Sequence, residues 1–169
     1  MHDKNRWGMI IVAAVTAVVA ITAAFAADFE HKKINPPDLH KHPVYSQVSK
    51  VSGEKTLVFV AGQVDRGLEY EMRSDSCQHS DWRGQYIGTM ENVGRGLTAG
   101  GATWDDVVFI RKFVTDMAAY LAMTGSPDSN LPEYFKDWEA PPSTLIQVVA
   151  LSEPCQLLEI DVVAVIPSS

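Results

Sequence analysis

Two acids set inside an aliphatic run constrain this chain most. Residues 157–166 read LLEIDVVAVI, with Glu159 and Asp161 at alternate positions of an otherwise apolar stretch. A run of that length and β-branched content, preceded by turn formers, predicts a strand. Alternate residues of a strand share a face, so both carboxylates point the same way, with Cα atoms roughly 6.5–7 Å apart. Leu158, Ile160, Val162 and Ala164 point the other way, into a core. The acidic face is itself mostly apolar, because Leu157, Val163 and Val165 share it. A carboxylate in such company is partly desolvated, which suits it to handle a proton. On this reading Glu159 is the functional acid, and Asp161 belongs to the wet face common in antiparallel sheets. Residues 145–151 form a shorter apolar run. Ser152-Glu153-Pro154 between the two runs predicts that they adjoin as a hairpin.

Pro141-Pro142-Ser143-Thr144-Leu145-Ile146, followed by Leu158-Glu159-Ile160-Asp161-Val162, resembles the end of the RidA/YjgF proteins, the reactive-intermediate imine deaminases. There Pro-Ala-Arg-Ser-x-Val precedes Val-Glu-Ile-Glu-Ala. Three earlier pieces agree in order and spacing: Pro43-Val44-Tyr45-Ser46-Gln47, Val60-Ala61-Gly62-Gln63-Val64, and Gly101-Ala102-Thr103-Trp104-Asp105-Asp106-Val107 running into Val114-Thr115-Asp116-Met117. The resemblance spans residues 34–166 apart from two insertions. It implies an α+β, chorismate-mutase-like fold with a mixed sheet and helices on one face. It also implies a homotrimer with pockets between subunits, lined by Tyr45, Gly62, Ser143 and Glu159, and no cofactor.

One departure is chemical. The family's deaminases hold the substrate carboxylate with an arginine, and Ser143 stands at that position. A guanidinium fork gives charge-assisted hydrogen bonds worth about 1.5–3 kcal/mol each. A serine hydroxyl cannot supply that charge. Arg66, just beyond the Gly62-Gln63 segment, is weighed as a replacement cation against a plain surface arginine.

The 169 residues are 46% hydrophobic with a formal net charge of −7, which fits one domain with a real core. That acidic balance argues against nucleic acid as a partner, because phosphate neutralisation needs clustered Lys and Arg. Lys4 and Arg6 precede 21 uncharged residues, 7–27. Such a run reaches roughly 31 Å as a helix, enough to cross a bilayer. Ala24-Phe25-Ala26 also fits a small-x-small cleavage site before Ala27. Residues 1–27 therefore read as a signal peptide or a membrane anchor. Either way the positive flank leaves the domain outside, periplasmic or otherwise extracytoplasmic.

Residues 28–42 read as an extended linker, with Pro36-Pro37 blocking a helix, and 43–169 as the domain. His40 and His42 could share a metal only with a third ligand, and the sequence shows none; a solvated linker is the reading. Residues 44–51 and 56–64 predict a hairpin around Ser52-Gly53-Glu54-Lys55. Residues 65–83 form a polar insertion. A helix follows over 81–99, capped by Ser80 or Asp81, stopped by Gly100-Gly101, and rich enough in glycine to pack closely on the sheet. A strand over 106–114 comes next, then a helix over 115–123 that resumes at 131–138. Cys77 and Cys155 are either one disulfide, with a single possible pairing, or two free thiols. Their loops have unknown separation, and the reading favours free thiols.

Three functions compete. The first is an exported protein binding a small molecule between subunits without efficient deamination. The second is an imine or enamine hydrolase in which Glu159 activates water. The third is an accessory subunit tethered to a membrane complex.

Overall fold

The computed structural model describes residues 28–41, 45–67, 77–125 and 138–168. The strands are β1 (Glu30–Ile34), β2 (Val48–Ser52), β3 (Lys55–Gln63), β4 (Val107–Val114), β5 (Ser143–Gln147) and β6 (Leu158–Pro167). Helix α1 (Trp82–Ala99) lies between β3 and β4, and α2 (Met117–Thr124) follows β4. The main sheet has the order β3-β6-β4-β5. β6 runs antiparallel to both neighbours, whereas β4 and β5 are parallel. Helices on a mixed sheet make this the α+β fold expected from the sequence.

Burial explains why β6 takes a central place. Leu158, Ile160 and Ala164 are fully buried and Val162 nearly so, so the inward face of β6 requires cover on both flanks. β3 and β4 provide that cover on the sheet's own plane, and α1 covers it from above with Tyr86, Met90, Val93 and Leu97. Asp81 caps α1, its carboxylate accepting the Gly84 N–H at 2.9 Å. The helix stops where the Gly100 N–H turns back to the Gly96 and Leu97 carbonyls and Gly101 takes a positive φ of 75°. The close approach expected of this helix is real: a Cβ on Gly96 would lie 2.6 Å from a methyl of Val60. Asp116 caps α2 through the Ala119 N–H at 3.0 Å.

Both expected hairpins are absent. β5 and β6 are separated by β4, which pairs with each of them. The turn formers at 152–154 therefore open a crossover over a neighbouring strand. β2 and β3 are consecutive but lie in different sheets, because β2 pairs with β1 in a small two-stranded sheet. Glu30–Ile34 thus forms a strand inside the stretch read as a linker. Local turn signals locate strand ends; they do not say which strand lies next to which. The resumed helix at 131–138, His42 and the apolar segment at 7–27 lie outside the described residues, apart from Trp138. Among the described residues, no helix is long and apolar enough to cross a membrane.

Candidate functional site

Glu159 projects from the second position of β6, on the face away from the helices, in register with Phe113 of β4. On its other flank β3 is irregular between Val60 and Gln63. That irregularity lays Gly62 against the acid: a Cβ at Gly62 would sit 1.7 Å from Glu159 Oε1. A side chain here would displace the carboxylate, the far end of the flexible Glu159 side chain. Glu159 is half-buried, and among the described residues its carboxylate has no hydrogen bond or ion pair. A half-buried acid left without a protein partner is available to water or to a ligand.

Asp161 differs. Arg111, opposite it on β4, donates from Nε to its Oδ1 at 2.9 Å. That hydrogen bond raises the guanidinium's pKa above its ordinary value. Among the described residues, Glu159 is open and Asp161 is occupied.

The other expected pocket residues fall elsewhere. Tyr45 bridges Ala140 through its backbone, and the Ser46 N–H donates to the Ala140 carbonyl at 2.9 Å. Ser143 begins β5 three residues later, in register with Ile110. Ile110 is buried under the helices, so Ser143 is turned to the face opposite Glu159, with β4 between them. One chain therefore joins Gly62 to Glu159, and separately brings Tyr45 beside the approach to Ser143. Arg66 donates from a guanidinium nitrogen to Ser152 Oγ at 2.9 Å. It ties the polar insertion to the loop before β6.

The cysteines are bonded, which corrects the expectation of free thiols. Cys77 and Cys155 form a disulfide with Cα atoms 5.9 Å apart. Gln85 shows why their loops meet. It is buried on α1, donates to the carbonyls of His79 at 2.9 Å and Cys155 at 2.8 Å, and accepts the Leu157 N–H at 2.8 Å. Fully buried Asp65 anchors the same insertion, accepting the His79 N–H at 2.7 Å and its ring nitrogen at 3.2 Å. Sequence reasoning passed over both residues. The available signal was a glutamine one position from the apolar stripe of α1. Among the described residues, no group of three or more His, Cys, Asp or Glu side chains is placed to hold a metal ion.

A family model described as "Endoribonuclease L-PSP" matches residues 39–166. The chain belongs to this family, the RidA/YjgF proteins. Among solved structures it is similar to a Rid-family protein of unknown function from Yersinia pestis. The two are 25% identical with a TM-score of 0.62, over 80% of this chain and 98% of that one. A probable translation initiation inhibitor from Rhodopseudomonas palustris is 25% identical with a TM-score of 0.54, over 82% and 100%. A putative endoribonuclease from Thermotoga maritima, 24% identical with a TM-score of 0.53 over 84% and 99%, shares the fold. Curated proteins give no match.

Proposed function

We propose that this protein is an exported Rid-family protein that binds a small molecule in a pocket between protomers, with Gly62 and Glu159 forming the pocket's wall. The observation that carries this reading is the Glu159 carboxylate, held against Gly62 and bonded to nothing else among the described residues. The intersubunit element is supported by the outer face of the main sheet. There Leu57 and Phe59 are 52% and 72% exposed, and Phe109, Phe113 and Val163 are half-buried. An apolar face of that kind is covered when copies of the chain associate. A homotrimer then brings Tyr45 and Ser143 of one protomer toward Gly62 and Glu159 of another.

Export is supported by the disulfide, since such bonds persist in oxidising compartments and are rare in reducing ones, together with the apolar run at 7–27. RNA is not proposed as a substrate, because the net charge of −7 opposes it. Without a cation at position 143, efficient deamination is not expected.

A specific observation favours one second reading, hydrolysis of an imine or enamine. An unpartnered carboxylate is placed to accept a proton from water as that water attacks the C=N carbon. One experiment separates the two. The purified protein is offered imines derived from amino acids, and ammonia release is followed beside ligand binding. Binding without ammonia supports the proposal; ammonia release lost in Glu159→Gln establishes the hydrolase. A monomer in solution that binds no small molecule overturns both.

A further inference from the structure

Lys112 is out of place. It lies on β4 between Arg111 and Phe113, which face outward, and so is turned inward with Ile110 and Val114, both buried in the core. Its register partners are Ile160 on β6 and Leu145 on β5. Ile160 is fully buried and Leu145 packs against the core. Lys112 itself is half-buried, and among the described residues its ammonium has no hydrogen bond or ion pair. A charge placed among aliphatic side chains without a counter-ion is costly, and a lysine meets that cost by giving up its proton. Among the described residues, the groups around it offer no compensation. Ser143, Leu145, Leu158 and Ile160, which share this face on the flanking strands, are uncharged. Tyr120, the buried titratable group of α2, has its pKa raised by burial and stays neutral. Burial likewise lowers the pKa of Lys112 below the ordinary lysine value.

We infer that Lys112 is a carbonyl-reactive amine, a site that condenses with a small uncharged aldehyde on the helix side of the sheet. The free amine attacks the carbonyl carbon to give a carbinolamine. Loss of water, made from the carbonyl oxygen and the two amine hydrogens, leaves a C=N bond to Nζ. Nothing is oxidised or reduced. The Ser143 hydroxyl lies on the same face one diagonal away, about 8 Å between Cα atoms at strand rise and spacing. It is a polar group within reach of the departing oxygen, and it too is unbonded among the described residues. Desolvated lysines activated without a counter-ion are the ones that form Schiff bases. This site lies on the opposite face of the sheet from Glu159 and shares only Ser143 with the proposed pocket.

The test is reductive trapping. The purified protein is incubated at pH 7 with propionaldehyde and sodium cyanoborohydride, and propylation of each lysine is followed by peptide mass spectrometry. Circular dichroism confirms that the chain stays folded. Lys112 is expected to label at least tenfold faster than the exposed Lys41, Lys50 and Lys55, and to keep its lead one pH unit lower. Glu159→Gln leaves that rate unchanged. Lys112→Met removes the fast-labelling peptide and raises Tm, since it relieves a desolvated charge. Labelling at Lys112 no faster than at the exposed lysines, or only as the fold is lost, overturns the inference.

Discussion

At Asp161 the outer face of the sheet is closed: Arg111 reaches across from β4 and meets the carboxylate at 2.9 Å. At Glu159, two residues earlier on the same strand and the same face, no side chain among the described residues reaches across, and the neighbour on β3 is a glycine that leaves room for the acid. The surroundings differ in kind. Both acids pair regularly with β4, Asp161 opposite Arg111 and Glu159 opposite Phe113. Glu159 lies where β6 enters the sheet from a loop held by the disulfide, by Gln85 and by Arg66. Strand chemistry alone makes the two acids equivalent. The difference comes from what the rest of the chain brings to each.

Replacing both Cys77 and Cys155 with serine attacks the Glu159 end. Opening a link between residues 78 apart in sequence costs about 4 kcal/mol by chain entropy, read by chemical denaturation. Hydrogen exchange at Leu157 and Glu159 should rise by local opening, beyond the rise at Val162 that the loss of global stability brings. Gln85→Ala leaves the buried Leu157 N–H and Cys155 carbonyl unpaired and should cost about 3 kcal/mol, again sparing the Asp161 end. Gly62→Ala should cost about 1 kcal/mol, since only the end of the Glu159 side chain has to move, and should displace that carboxylate, so any small-molecule binding is lost with it. Arg111→Met should cost little, because that pair is exposed on the arginine side; urea melts in low and high salt measure it. Glu159→Gln should change stability by less than about 0.5 kcal/mol, since among the described residues the acid has no partner to lose. An equal cost at both acids would remove the contrast.

Much of this was legible in the chain. The alternation of Glu159 and Asp161 with Leu158, Ile160 and Val162 assigned the faces of β6, and Asp81 with Gly100-Gly101 bounded α1 within a residue. Gly62 and Glu159 were singled out together. Strand neighbours were not legible. Residues 152–154 look like a hairpin turn, yet the connection from β5 passes β4 before the chain enters β6, because a strand apolar along its inward face is stabilised by two neighbours. The disulfide was misread for the same reason: two loops become adjacent only once Gln85, 70 residues from Cys155 in sequence, has drawn them together. Lys112 escaped notice because a lone lysine within FIRKF shows its facing only when the strand's partners are known.

The central position of β6 also orders events in time. Val60 finds its strand partner in Val162, and among the described strands β3 has no other neighbour in the main sheet. Every attempt at that sheet before residue 158 emerges therefore leaves β3 unpaired. Contacts so distant in sequence are slow to form. The growing chain thus remains unfinished, and threadable, until its closing strand arrives.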